Sequence, residues 1–212
     1  MSRKLFILCT LCLVGSMAMT ARADLLTNGN FNTGDLTGWW TWLPVPANQS
    51  FTVEPIGSFD GSPDGLFQNS GSGPQANMNV GQGKFAGAIP GNTYTANCMF
   101  KEAIATTGDG WVGANFDVEF YDAANNWLSG TYWNFWATGA WTPYSVSAVA
   151  PVGASSVQMK VESWLGGTPD ESTATLTLNL DNVTLTGELI PEPATMVLLG
   201  IGGLVALRRK HA

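Results

Sequence analysis

Residues 115–121, NFDVEFY, alternate without a break. Phe116, Val118 and Phe120 fall on one side; Asn115, Asp117, Glu119 and Tyr121 fall on the other. A period of two is the signature of a strand with one buried face, and it constrains this chain more than any other feature. The pattern returns in QANMNV (Ala76, Met78, Val80 inward) and in ATLTLNL (Leu176, Leu178, Leu180 inward). In VQMKVESW it sets Val157, Met159 and Val161 against Gln158, Lys160, Glu162 and Trp164. Gly, Pro, Asn and Asp cluster between the runs, in IPGN, DAANN and APVGAS, as turns require. No interior stretch reads as an amphipathic helix. Alternating strands joined by short turns bury their apolar faces best as two packed antiparallel sheets, so an all-β, single-domain sandwich is predicted. In LTLNLDNVTL the inward parity slips by one at Asp181-Asn182, which predicts a β-bulge there.

The two ends follow different rules. Arg3 and Lys4 precede an apolar stretch, and Ala21-Arg22-Ala23 offers small residues around a scissile position. This is the plan of a secretory signal peptide over residues 1–23, removed by signal peptidase after Ala23. At the other end, residues 194–207 are apolar apart from Thr195, and Arg208, Arg209 and Lys210 follow at once. A helix of that length reaches roughly 21 Å, short of the ~30 Å hydrocarbon core. Basic residues beside a span stay cytoplasmic, which places the preceding domain on the far side of the membrane.

Pro191-Glu192-Pro193, the apolar run and the basic end together resemble the PEP-CTERM sorting signal. The resemblance implies recognition by the membrane protease exosortase, transient anchoring, and export in a Gram-negative bacterium that makes exopolysaccharide. The domain between the ends is then residues 24–190. It retains Lys84, Lys101 and Lys160 against fifteen acids, a net charge of −12. Such a surface repels phosphate backbones and excludes nucleic acid as a partner. Cys98 is its lone cysteine and belongs to a strand face with Tyr94, Ala96 and Phe100, so no internal disulfide forms. The chain's one histidine, His211, lies in the tail. Ser-His-Asp, Cys-His and His-based zinc chemistry are therefore absent from the domain.

Within residues 24–190, LLTNGNFNTGDLTGW, PGNTYT, FDVEFYDAANNWL, APVGASSVQMKV and LDNVTL resemble carbohydrate-binding jelly-roll modules. That resemblance implies a jelly roll whose opening and closing strands are neighbours. It also implies a structural calcium held by Asp181, with Asn32 at the usual acidic position and Asp35 and the carbonyls near Asn28 as further ligands. No other cofactor is expected.

Chemistry is left with carboxylates. Asp117 and Glu119 lie on one strand face roughly 6–7 Å apart, within glycosidase range, and Asp170-Glu171 sit in a polar loop. Neither pair has an Arg or His beside it in sequence, so a non-catalytic protein is expected. Binding has better support. All nine Trp lie in the domain. Trp39, Trp40 and Trp42 form one cluster; in TYWNFW, Tyr132, Asn134 and Trp136 share a face opposite Trp133 and Phe135. Both aromatic faces cannot be core, and rings flanked by amides and acids suit stacking on sugars. The expected ligand is an extracellular polysaccharide. A matrix protein without a sugar ligand and a glycan-acting enzyme remain as alternatives.

Overall fold

The computed structural model describes residues 24–189 except 57, 72–76, 108–110, 136–137 and 167–172. The signal-peptide and sorting segments, with Ala21, Ala23, Pro191, Glu192, Pro193, Arg208, Arg209 and Lys210, lie outside the described residues. So do Trp136, Asp170 and Glu171.

Ten strands follow in order: β1 (Trp39–Trp42), β2 (Gln49–Glu54), β3 (Asp64–Gly71), β4 (Met78–Ala86), β5 (Thr93–Thr107), β6 (Trp111–Tyr121), β7 (Trp127–Asn134), β8 (Thr142–Val149), β9 (Ser156–Gly166) and β10 (Thr173–Thr186). They form two five-stranded sheets, β1-β4-β9-β6-β7 and β2-β3-β10-β5-β8. Every pairing is antiparallel. This is a sandwich of jelly-roll type. The β1 and β2 edges lie on one side, β7 and β8 on the other.

The apolar parities meet between the sheets. Phe116, Val118, Phe120, Val157, Met159, Val161, Leu176, Leu178 and Leu180 are all fully buried. Burial of each such side chain contributes about 1.5–3 kcal/mol. On β5 the inward parity of Tyr94, Ala96, Cys98 and Phe100 continues to Glu102. The register between β10 and β5 shifts between Asp181 and Thr184, and Asn182 takes a left-handed φ of 49°. The bulge therefore turns Val183 and Leu185 into the core, where both are buried.

The opening segment runs along β10. Asp24 bridges Thr186, Leu25 N–H donates to Leu185 O at 2.8 Å, and Val183 N–H donates to Gly29 O at 2.9 Å. Phe31 anchors this segment despite its positive φ of 54°. Its ring is fully buried, stacks on Trp39 at 5.1 Å, and occupies the space a side chain at Gly65 would need. Burial of two large rings offsets the backbone strain of a left-handed phenylalanine.

Candidate functional site

The outer face of the β1-β4-β9-β6-β7 sheet collects the polar parities of five strands. In register, one row across it reads Trp40, Gly81, Lys160, Asp117, Tyr132. The next reads Trp42, Asn79, Glu162, Asn115, Asn134. A third sets Gly83, Gln158, Glu119 and Gly130 side by side. Four inter-strand steps of ~4.8 Å separate the first strand from the last, a span of about 19 Å.

Aromatic rings frame this face. Trp42 is 51% exposed and Tyr132 63%. Trp40 and Trp164 are half-buried because each lies across a glycine on the neighbouring strand. A methyl group added at Gly81 would sit 2.8 Å from Trp40 Cζ2; one at Gly113 would sit 2.0 Å from Trp164 Cζ3. The bare backbone at these positions lets the rings lie low on the sheet.

The centre is charged. Lys160 Nζ reaches Glu162 at 2.9 Å, Glu119 at 3.2 Å and Asp117 at 3.5 Å. Burial alone would depress the ammonium, but Glu162, Glu119 and Asp117 outweigh it and hold the group above the usual lysine range. One cation cannot neutralise three acids. Asp117 is the most buried of them, and its Oδ1 has no hydrogen-bond partner. Burial pushes it up to about 7 against the pull of Lys160. Tyr121 closes the rim: its hydroxyl donates to Glu119 Oε2 at 2.8 Å, and Lys84 Nζ sits 3.6 Å over its ring.

The predicted platform residues are divided as follows. Trp40, Trp42, Tyr132 and Asn134, expected as alternatives in two separate clusters, lie on opposite margins of this one face. Trp39 is a correction. Strand parity turns it inward, where it is 9% exposed and donates its indole N–H to Asn28 O at 3.2 Å. The strand pattern shows Lys160, Trp164 and Gln158 only as outward-facing; their places opposite Asp117, Gly113 and Glu119 depend on the β6–β9 register, which the pattern within a single strand does not carry.

The expected calcium ligands divide between the opening loop and β10, which meet where Val183 N–H donates to Gly29 O at 2.9 Å. Asn28 Oδ1 accepts from Thr33 N–H at 3.2 Å, Asn28 Nδ2 donates to Asp35 O at 2.9 Å, and Asp35 Oδ1 accepts from Thr33 Oγ1 at 2.7 Å. These are exposed loop contacts, and Asn32 is exposed beside them. Asp181 is fully buried; burial raises its carboxyl, and the charges of Asp60 and Asp64 add to that effect. Glu54 opposes Asp64 across β2 and β3, and the β3–β10 register continued from Gly65–Leu180 sets Asp64 opposite Asp181. Asn179 Nδ2 donates to both Glu54 Oε2 and Asp64 Oδ2 at 3.1 Å. Asp64 Oδ1 and Asp181 Oδ2 are buried without hydrogen-bond partners. Two such oxygens fit a hard cation. Among the described residues, no group of three or more His, Cys, Asp or Glu side chains is gathered to hold one, so carbonyls or water would complete the shell.

The comparisons agree with both halves of this architecture. The model of the PEP-CTERM protein-sorting motif matches residues 189–210. The chain is thus an exported protein with a jelly-roll β-sandwich ahead of a sorting signal. No curated protein matches the sequence. Among solved structures, the enzymatically active domain of bacteriophage CBA120 tailspike protein 4 is similar at TM-score 0.56 and 15% identity, over 79% of this chain and 21% of that one. The CBM22-1 xylan-binding domain of Paenibacillus barcinonensis Xyn10C is similar at TM-score 0.50 and 14% identity, over 82% and 100%. The N-terminal CBM22-1-CBM22-2 tandem domain of the same protein gives TM-score 0.52 and 14% identity, over 83% and 48%. This chain therefore spans about a fifth of the tailspike chain and about half of the tandem one. At these identities the likeness shows the shared fold.

Proposed function

We propose that this protein is a non-catalytic polysaccharide-binding component of the bacterial surface or extracellular matrix, and that its ligand lies across the outer face of the β1-β4-β9-β6-β7 sheet. The carrying observation is the row in which Trp40 and Tyr132 flank Lys160 and Asp117. Flat rings at the margins match the apolar faces of sugars, and the ammonium, carboxylates and amides between them match hydroxyl groups. The similarity to a xylan-binding domain supports the class of ligand. Export through the sorting motif supports the setting: signal peptidase acts after Ala23, and exosortase then trims the tail near Pro191–Pro193 in a Gram-negative envelope. Intact-mass measurement of exported protein reads both cuts.

The test of binding is affinity electrophoresis in soluble xylan and in the producing organism's own exopolysaccharide. Trp40→Ala, Trp42→Ala and Tyr132→Ala should each weaken retention, and the two changes at exposed rings, Trp42→Ala and Tyr132→Ala, should leave the melting temperature in place. A parent that neither polysaccharide retards would instead indicate a matrix protein without a sugar ligand.

A second reading has one observation in its favour. Asp117, raised to about 7 by burial, stands beside Glu119, and two neighbouring carboxyl groups are the machinery of glycoside hydrolysis. Lys160 bridges both carboxylates and occupies the space between them, which favours binding over turnover. Release of reducing ends from the same polysaccharides, abolished by Glu119→Gln, would establish the enzyme.

A structural calcium at Asp64 and Asp181 belongs to the same proposal. It would tie β3 and β10 together behind the sheet that carries the sugar face.

A further inference from the structure

From Ala123 to Met159 the sequence contains no Asp, Glu, Lys, Arg or His. In the fold this stretch supplies β7 and β8, the two edge strands on one side of the sandwich. A domain of net charge −12 thus has one side whose two edge strands are uncharged. Exposed apolar side chains line it: Trp127 at 59%, Trp133 at 60%, Tyr132 at 63% and Val149 at 59%. The side is also firmly built. Phe135 packs on Phe100 at 4.6 Å and on Tyr144 at 5.0 Å, and the Tyr144 hydroxyl donates to Asn134 O, tying β8 to the end of β7.

Exposed edges invite pairing, and folded proteins blunt them with short length, proline or charge. The other edges here are blunted. β1 has four residues, β2 ends in Glu54, and β8 carries Pro143 near its start. β7 has eight residues, WLSGTYWN, with no charge and no proline; its one irregularity is a bulge at Leu128 near its start, and residues 129–134 pair regularly with β6. No strand among the described residues pairs with its outer side.

We propose that two copies of this chain associate through the β7/β8 side, joining β7 to β7 antiparallel into one continuous sheet. Two-fold symmetry makes such a contact self-complementary and closed. A repulsive body of this charge can approach its own copy only where charge is absent, and this side meets that condition. Centring the pairing on Thr131 sets the Tyr132 ring of each copy opposite Gly130 of the other, where there is no side chain to displace it. Pairing centred on Thr131 spans residues 128–134, about 23 Å, and two sheets with their side chains are roughly 20 Å thick, giving about 460 Å² per partner. That is near the lower limit for a specific interface, so the dimer is a reversible one. This inference does not depend on the sugar ligand.

The test is sedimentation velocity of the full-length protein in mild detergent over a concentration series, without polysaccharide. The parent should show a monomer–dimer equilibrium. Thr131→Lys and Thr131→Glu, each placing a charge against its own copy, should each weaken dimerisation at least tenfold. Mixing the two variants should restore it. Ile56→Lys, at an 88% exposed residue in the β2–β3 connection, should leave it unchanged. A monomeric parent, or association that both Thr131 variants retain because the hydrophobic tail drives it, overturns the proposal. Loss in both variants without recovery on mixing overturns the self-paired register.

Discussion

Trp164 lies across Gly113, its directly opposed partner on the neighbouring strand, so closely that no side chain can occupy position 113 without moving the ring. The pair shows how this sheet makes a low aromatic surface from ordinary strand geometry. A glycine weakens a strand, and a ring covering it restores contact.

Gly113→Ala should therefore displace Trp164. The three atoms nearest to an added methyl all belong to its ring, so the ring yields rather than the backbone. We expect a shift in tryptophan emission, little change in melting temperature, and polysaccharide binding weaker by about 1 kcal/mol, the scale of one aromatic contact. Unchanged binding would remove Trp164 from the sugar face.

Lys160→Met should be severely destabilising at neutral pH, by about 3 kcal/mol, because Asp117 and Glu119 lose their cation while mostly buried. The loss should shrink on acidification, since Asp117, raised by burial to about 7, does not need the ammonium once it is protonated. Urea denaturation of parent and variant at pH 5 and pH 8 measures it. Equal losses at both pH values would show that Lys160 acts through packing.

The parts of this molecule that could be read in the sequence are those written along single strands. Alternation placed Phe116 to Phe120 and Leu176 to Leu180 in the core, and the parity slip at Asp181 marked the bulge. Extending the parity of Cys98 and Phe100 by one step would have found buried Glu102. The same rule would have separated Trp39 from Trp40 and Trp42. What remained hidden depends on register between distant strands. Lys160 meets Asp117 because β9 pairs with β6, and Asp64 meets Asp181 because β3 pairs with β10; neither juxtaposition leaves a mark in local spacing.

Glu102 provides a pH dependence. It is fully buried, neither carboxylate oxygen has a hydrogen-bond partner, and burial raises it from 4.5 to about 7. The fold favours its protonated form. That contribution is complete below pH 4.5 and is lost as pH rises through about 7. Glu102→Gln removes the ionisation, so its stability relative to the parent should climb across this window, by up to about 3 kcal/mol at pH 8. Thermal melts of both proteins between pH 4 and pH 8 measure the difference. Parallel curves would show that Glu102 does not titrate there.

Asp181 separates a bare acidic pair from a metal site by the sign of one substitution. Burial raises its carboxyl to about 6, and the charges of Asp60 and Asp64 add to that effect. Without a cation, its ionised form costs stability as pH rises through about 6, so Asp181→Asn should be more stable than the parent at pH 7.5 in EGTA. With a cation bound, the unpartnered Asp181 Oδ2 and Asp64 Oδ1 become ligands, and the ionised carboxylate is the form the fold prefers. Millimolar calcium should then raise the parent's melting temperature and leave Asp181→Asn almost unmoved, reversing their order. Binding at one hundred times the dissociation constant corresponds to about 2.7 kcal/mol, a shift well within calorimetric resolution. If calcium moves neither protein and the variant remains the more stable, the pair is a buried acidic strain with no metal, and the tie between β3 and β10 rests on backbone pairing and Asn179 alone.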